Sequence, residues 1–328
     1  MKRILLIACC VLLSACGTAP SAPLSTPGPS DQTQDNPALP TQPLPKLTAT
    51  QFSNSPTSSP QSQIIAEHPS RTNSQLPTPN LQFPNSPTLD PSNWKDWPII
   101  PTIDPSIRAI YEYGQSLGND PHSFSIFGDC QARPDEFFAV FDEDAGSVAS
   151  LSSELREAVA NFHGSFNRES PTAQDGTTPG ALLWTQWHQG NFTCTFDETP
   201  VECELRIHRP SFVIIQIGTH FESRNTEYLR KIITQLIDAG VVPILATKAD
   251  NRELDDRINR DMALLASEYD LPLWNFWAAL SDLPERGLYT RADRPLQGAI
   301  YLNEEAALRH RMTGLEALNV VWRAATGK

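Results

Sequence analysis

The chain reads Phe-Val-Ile-Ile-Gln-Ile over residues 212–217 and Val-Val-Pro-Ile-Leu-Ala over residues 241–246. Both runs are apolar without alternation, which is typical of parallel strands that are buried on both faces. Two further short apolar runs occupy residues 123–127 and 271–276. The four runs therefore predict four strands of one parallel sheet.

Amphipathic helix patterns lie around these runs. One helix is predicted from Ser106 to Leu117, a second follows Asn225 and ends before Gly240, and a third lies between the third and fourth runs. A last helix is predicted from about Asn303, with acidic residues in its first turn and with Leu308, Leu315, Leu318 and Trp322 buried. Strands alternate with helices, so we expect a doubly wound, mainly parallel α/β sheet flanked by helices, with ligands at the carboxyl ends of its strands.

Composition divides the 328 residues into unequal parts. Residues 17–100 hold 17 of the 29 prolines but only three basic and five acidic residues, so they cannot bury enough apolar surface to fold. We therefore expect a disordered tether over residues 16–100 and one folded domain over residues 101–328. That domain has 20 Lys+Arg against 33 Asp+Glu, and a net charge this negative argues against a nucleic-acid partner.

The first residues have the layout of an export signal. Met1-Lys2-Arg3 precedes an apolar run, Ile4 to Leu13, that is too short to span a bilayer as a helix. The following Leu13-Ser14-Ala15-Cys16 resembles the lipobox of bacterial lipoproteins, and that resemblance implies a signal peptide over residues 1–15 and a lipid on Cys16. We expect an extracytoplasmic protein that is anchored to a bacterial membrane through that lipid. The alternative is an ordinary signal peptide with an incidental cysteine.

Export also bears on the other cysteines. Cys194 and Cys203 flank a short polar stretch that could be a hairpin tip, and an oxidising compartment favours a disulfide between them. Two unpaired thiols are the alternative. In either case Cys130 lacks a partner.

The first predicted strand ends in Gly128-Asp129-Cys130-Gln131, and here the chain resembles the SGNH (GDSL) hydrolase family, whose first block is Gly-Asp-Ser. The resemblance covers residues 104–322 and implies the family's fold and its crevice. It places Cys130 at the nucleophile position, where a helix N-terminus would lower the pKa of the thiol. Gly176 is the preferred second-block glycine of the oxyanion hole, with Gly164 as the competing choice.

The later blocks depart further from the family. Gly218-Thr219-His220 stands where the family has Gly-x-Asn, so the resemblance places His220 at the position of the oxyanion-hole Asn. No Asp-x-x-His follows residue 271, and the best register places Tyr301 at the position of the catalytic His. Asp293 has no His three residues later, and His310 is expected on the surface or between helices rather than as a base.

Asp129 and Asp250 are the remaining crevice candidates. Asp250 follows the third predicted strand, where it would face a ligand, although capping of the next helix is the alternative. The scattered histidines provide no metal-ligand spacing and no glycine-rich phosphate loop is present, so we expect no metal and no cofactor.

Two functions follow from this pattern. In the first, the domain keeps an SGNH-like crevice, has lost hydrolysis, and binds a glycan or acyl group. In the second, Cys130 and His220 act as a thiolate–imidazole pair in a Cys-dependent esterase or acyl hydrolase. The loss of several chemical positions favours the first. A third possibility is a display module for another envelope protein, and the pattern identifies no protein partner.

Overall fold

The computed structural model describes residues 89–187 and 192–328. The predicted signal peptide, the lipid site at Cys16 and most of the predicted tether lie outside the described residues. Within the described residues, no helix is both long enough and apolar enough to cross a membrane.

The centre of the described fold is a parallel sheet of four strands in the order β1-β2-β3-β4. Its strands are β1 (Asp120–Gly128), β2 (Pro210–Gln216), β3 (Val242–Ala246) and β4 (Leu273–Trp274). Each strand lies on one of the four apolar runs, so the prediction of a mainly parallel α/β fold is confirmed at this level. The strand register places Phe124 beside Phe212 and Ile214 beside Ile244.

Helices cover both faces of this sheet. The described helices are α1 (Ser106–Leu117), α2 (Val140–Glu143), α3 (Ala145–Ala149), α4 (Ser153–Asn161), α5 (Pro200–Ile207), α6 (Asn225–Asp238), α7 (Arg257–Glu268), α8 (Phe276–Ala279) and α9 (Glu304–Thr326). Helices α1, α4 and α9 pack on one face, and α5, α6 and α7 on the other. The predicted starts at Ser106 and Asn303 are confirmed, because Asn303 caps α9 by accepting the Ala306 N–H. Leu308, which was expected in the core, is instead 55% exposed.

The strand side chains divide between two cores because successive residues of a strand point to opposite faces. One core contains Phe124, Ile126, Phe212, Ile214, Val242, Ile244 and Trp274. The other contains Phe127, Val213, Ile215, Leu245 and Leu273. All these side chains are buried, which explains why the strands read as continuous apolar runs.

The segments that follow β1 in the chain lie on both sides of it in the sheet. Gly128 pairs with Gln216 of β2 and forms an isolated parallel bridge with Ala173. A strand residue has one neighbour on each side, so residue 173 lies at the edge of β1 that faces away from β2. The chain therefore leaves β1 toward one side and returns as β2 on the other. Such a reversal opens a crevice at the carboxyl ends of the strands.

Residues 91–97, which precede Pro101, belong to the folded unit. A short 3-10 helix, Pro91–Asp96, buries Trp94, and Trp97 is also buried. The side-chain amide of Asn275 donates hydrogen bonds to the carbonyls of Trp94 (2.8 Å) and Trp97 (3.1 Å). Residues 93–97 are thus ordered ahead of Pro101, as their tryptophans predict.

A small antiparallel hairpin completes the described elements. It pairs β5 (Leu288–Tyr289) with β6 (Tyr301–Leu302). Its strands are only two residues long and the connecting segment is exposed, so no hydrophobic periodicity marks it in the sequence.

Candidate functional site

A cavity of about 550 Å³ opens at the carboxyl end of β1. Its walls come from the turn after β1, the segment after the Ala173 bridge, the loop after β2 and the β5–β6 hairpin. The lining residues are Cys130, Gln131, Arg133, Asp135, Glu136, Asp175, Gly176, His220, Tyr289, Arg291, Arg294, Ile300, Tyr301, Leu302 and Ala307. Segments far apart in sequence meet here because parallel strands end at the same edge of the sheet.

Cys130 lies half-buried at the start of a single 3-10 turn, Cys130–Ala132. Burial raises the pKa of its thiol well above the ordinary value, and the carboxylates of Asp129, Asp175 and Asp250 raise it further. The expectation that a helix N-terminus lowers this pKa is therefore wrong, because one 3-10 turn has little dipole to offset three nearby negative charges. The thiol stays protonated at neutral pH.

Asp129 is a buried structural acceptor beneath the cavity. Its Oδ2 accepts backbone N–H groups from Gly218 (3.1 Å), Thr219 (2.9 Å) and His220 (3.4 Å). Burial raises the pKa of this carboxyl to about 6, although these three hydrogen bonds act in the opposite direction. Asp129 thus ties the turn after β1 to the loop after β2.

Gly218 is required by the conformation of that loop. Its φ is +136°, and a Cβ there would lie 2.4 Å from Cγ2 of Ile258 on α7. The residue is enclosed beneath the cavity and is not among its lining residues. Its part in the site is to let the backbone turn so that residues 218–220 converge on Asp129.

His220 lines the cavity together with Cys130, so the structure brings the two predicted residues to one site. Burial and the nearby Arg252 lower the pKa of the His220 imidazole, which favours the neutral ring. Among the described residues, the Cys130 sulfur donates its hydrogen bond to Oδ1 of Asp129, at 4.0 Å, and no hydrogen bond joins it to His220.

Gly176 rather than Gly164 reaches the cavity. Gly176 lines it and has φ +76°, with Cη2 of Trp187 3.9 Å from where a Cβ would stand. Gly164 lies elsewhere, beside α2, and donates its N–H to Asp142. The structure thus separates two glycines that the sequence left as alternatives.

The β5–β6 hairpin supplies a wall with aromatic and cationic side chains. The rings of Tyr289 and Tyr301 lie 5.8 Å apart, and the Arg291 guanidinium is 5.0 Å from the Tyr301 ring. Arg294 forms a hydrogen bond with Tyr301, and Asp293 pairs with Arg291 at 3.4 Å. Tyr301 therefore lies in the cavity, where the resemblance placed it, and its nearest cavity neighbours include Arg291 and Arg294.

Asp250 belongs to a buried network beside the cavity. Its carboxylate accepts hydrogen bonds from Thr219 Oγ1 (2.7 Å) and from Lys248 Nζ (2.8 Å). Lys248 also contacts Glu253 at 2.5 Å, and all three charged side chains are nearly inaccessible. The alternative role as a helix cap is wrong, because α7 begins only at Arg257 and Asp250 makes no capping bond to it. Asp250 orders the loops after β2 and β3.

Of the two places expected for His310, the surface is excluded and a position between elements is found. The residue is fully buried, with its ring 4.0 Å from that of Phe137 and 4.5 Å from that of Phe276 on α8. Its Nε2 lies 2.6 Å from Oε1 of Gln216, the last residue of β2. Burial lowers the pKa of the imidazole well below its ordinary value. The residue is a neutral core side chain and does not line the cavity.

The structure contains the expected disulfide between Cys194 and Cys203, with Cα atoms 5.2 Å apart. Its setting differs from the prediction, because Cys203 lies on α5 and not in a hairpin. Thr199 and Glu202 form a capping box at the start of that helix. The disulfide therefore fastens a turn to the helix that follows it.

No protein-family model matches the chain, and no curated protein matches it. Among the described residues, no three His, Cys, Asp or Glu side chains form a group that could hold a metal ion. Function must then follow from the geometry of the cavity.

Sequence reasoning missed several lining residues: Arg133, Asp135, Asp175, Tyr289, Arg291 and Arg294. Most lie on irregular segments, where periodicity carries no signal. Arg291 and Arg294 stand just before residues 298–302, which the resemblance aligns with the family's Asp-x-x-His, and this closeness is the available signal.

Proposed function

We propose that this protein is an extracytoplasmic lipoprotein whose α/β domain is SGNH-hydrolase-like and binds a glycan or an acylated glycan without hydrolysing it. One observation carries the proposal. Cys130, Gly176, His220 and Tyr301, which the resemblance matched to separate family blocks, all line a single cavity at the strand reversal. This convergence supports a shared site for the four matched positions.

The chemistry of the cavity supports binding over turnover. A nucleophilic thiol needs to ionise or to lose its proton to an adjacent base. Here the thiol is beside Asp129, and the pKa of Cys130 is raised by burial and by carboxylates. His310 cannot act as that base, because it is enclosed in the core. The same cavity presents tyrosine rings, guanidinium groups and carboxylates, which are groups that bind polar ligands.

Ligand-induced thermal stabilisation tests this proposal. We expect the full-length protein to be stabilised by chitotriose or by acetylated xylotriose, because a ligand that binds only the folded state raises its melting temperature. Tyr301→Ala should abolish the shift, while Tyr113→Ala, at an exposed position on α1, should preserve it. Absence of any shift with these acylated sugars would count against the proposal.

A second function rests on a different observation. Cys130 and His220 share the cavity, and the lowered pKa of His220 keeps its imidazole able to accept a proton. A Cys-dependent hydrolase would cleave a simple aryl ester, and iodoacetamide or Cys130→Ala would abolish the cleavage. A silent wild type that gains activity as Cys130→Ser would identify a disabled hydrolase that retains its oxyanion hole.

The membrane anchor is proposed from the sequence of the leader. We expect the mature protein to enter the detergent phase on Triton X-114 partition, and Cys16→Ser to move it to the aqueous phase. Aqueous partition of the wild type would contradict the anchor and leave the cavity unaffected.

A further inference from the structure

The positive charge of the cavity is distributed unevenly between its walls. Arg133, near the turn after β1, is paired with Asp135 (3.0 Å) and Asp175 (3.2 Å). Two carboxylates thus contact this one guanidinium group. Glu136 also lines the cavity. The segments that follow β1 and Ala173 therefore present an acidic wall.

The hairpin wall is different. Arg291 contacts one carboxylate, Asp293, at 3.4 Å, and both side chains are more than 40% exposed, so water weakens that ion pair. Arg294 is exposed and forms no ion pair with any carboxylate in the described part of the chain. Its hydrogen-bond partner is Tyr301, and the carboxylates of Asp293 and Asp175 act on it without forming an ion pair. Two guanidinium groups thus face the cavity with spare donors, and a guanidinium fork matches the two oxygens of a carboxylate.

An aromatic surface adjoins these guanidinium groups. Tyr289 and Tyr301 are cross-strand neighbours on β5 and β6, and their rings are tilted by 41°. Tyr289 is 46% exposed, so much of its ring is free to contact a ligand. Tyrosine offers an apolar face together with a polar hydroxyl, which suits a ring that carries both C–H groups and hydroxyls.

We propose, resting on the proposed function, that the ligand is an acidic saccharide whose carboxylate binds Arg291 and Arg294 and whose ring packs on Tyr289 and Tyr301. The carboxylates of the acidic wall would accept hydrogen bonds from sugar hydroxyls. A volume of about 550 Å³ lies within the range of small-molecule sites, roughly 300–1,000 Å³.

The net charge of −13 does not oppose an anionic ligand at this place. At physiological ionic strength, exposed charges more than about 8 Å apart are largely screened. The local guanidinium groups therefore decide which ligand binds, and binding should weaken as salt is added.

Calorimetric titration of the full-length protein with trigalacturonate and with its methyl ester tests the inference. The two probes have the same rings and hydroxyls and differ in the charge of the carboxyl groups. We expect trigalacturonate to bind at least tenfold more tightly at low salt, since hydrogen bonds to charged groups exceed those to neutral groups. Equal affinities, or tighter binding of the ester, would overturn the inference.

Matched variants locate the effect. Arg294→Gln keeps a donor for Tyr301 and removes the charge, so it should weaken trigalacturonate roughly tenfold to a hundredfold and leave the ester unchanged. Arg291→Gln should act in the same direction. Arg230→Gln removes a paired arginine on α6 that does not line the cavity, and it should change neither affinity. Unchanged trigalacturonate affinity in both hairpin variants would contradict the assignment.

The two proposals fail in different ways. Stabilisation by neutral acylated sugars without binding of trigalacturonate would overturn the acidic-saccharide inference and leave the proposed function in place. Failure of neutral and acidic sugars alike would overturn the proposed function itself.

Discussion

At the residue scale, two adjacent side chains at the end of β1 have different roles. Asp129 points into the protein and holds the amides of residues 218–220, whereas Cys130 reaches the cavity. The carboxylate that orders the loop also raises the pKa of the neighbouring thiol. The carboxylate of Asp129 therefore orders the loop and at the same time makes the Cys130 thiol less reactive.

Replacing Asp129 should change the pKa of the neighbouring thiol. We expect Asp129→Asn to lower the pKa of the Cys130 thiol, because one of the three carboxylates that disfavour the thiolate is lost. The rate of iodoacetamide alkylation as a function of pH measures this shift, and Asp197→Asn on the exposed disulfide loop is the control. An unchanged profile would mean that Asp129 does not contribute to the raised pKa of the thiol.

The same carboxylate should matter for stability. Asp129→Ala leaves buried amides without an acceptor, at a cost of roughly 1–3 kcal/mol for each amide. Denaturant unfolding should show a larger loss for Asp129→Ala than for Asp129→Asn, which keeps one acceptor oxygen. Equal losses would contradict the acceptor role.

His310 should make stability depend on pH. Burial lowers its folded pKa well below 6.5, so below pH 6.5 the unfolded chain binds a proton that the folded protein excludes. As the pH is lowered below 6.5, the free energy of unfolding should therefore decrease by about 1.4 kcal/mol per pH unit because of this group. His208, with a pKa lowered to about 4, acts in the same direction, and the raised pKa of Asp129 acts in the opposite direction between 3.8 and about 6.

A variant isolates the His310 contribution. His310→Gln cannot titrate, so its free energy of unfolding should fall less steeply between pH 6.5 and 5 than that of the wild type. His163→Gln, at an exposed position, should keep the wild-type slope. A wild-type slope in His310→Gln would show that His310 takes up its proton in the folded state.

At the scale of elements, the residues just beyond the ends of strands form the crevice, whereas the middles of the strands form the cores. The apolar middles of β2 and β3 build the cores, while the residues just beyond them build the crevice and its buried network. The β5–β6 hairpin contributes little core and supplies the cationic wall. Each wall of the cavity thus comes from a segment whose sequence shows little hydrophobic periodicity.

The cap of α9 should make a measurable contribution to stability. Asn303 accepts the Ala306 N–H at 2.9 Å at the start of this 23-residue helix. Asn303→Ala should reduce the free energy of unfolding by about 1 kcal/mol in denaturant titrations, and Asn303→Asp should be nearly neutral because it keeps the acceptor. An alanine variant as stable as the wild type would show that packing alone defines the helix start.

At the scale of the whole molecule, residues 91–97 are part of the fold although they precede Pro101. Trp94 is 3% exposed, and its ring lies 5.7 Å from that of Trp277. Trp94→Ala should cost about 3–5 kcal/mol of the free energy of unfolding, as expected for a large buried aromatic. Trp184→Ala, at a position 54% exposed, is the control and should change stability by under about 0.5 kcal/mol.

The fold was more predictable than the site. The four apolar runs became β1–β4, because burial on both faces of a parallel sheet demands unbroken apolar sequence. The helix starts at Ser106 and Asn303 were also recoverable from local patterns. His310 was not, since a polar ring flanked by arginines gives no local sign that Gln216 will satisfy it in the core.

By itself, the sequence determined the alternation of strands and helices, the acidic charge, and the placement of Cys130 at a strand end, and it favoured the pairing of Cys194 with Cys203. Only the tertiary structure decided that Gly176 rather than Gly164 lines the cavity with Cys130, that Asp129 and Asp250 are structural, and that arginines from a distant hairpin line the cavity. The physical reason is the distance along the chain over which each effect acts. Backbone periodicity and disulfide closure act over a few residues, whereas burial, pKa and charge balance depend on neighbours that only the folded chain brings together.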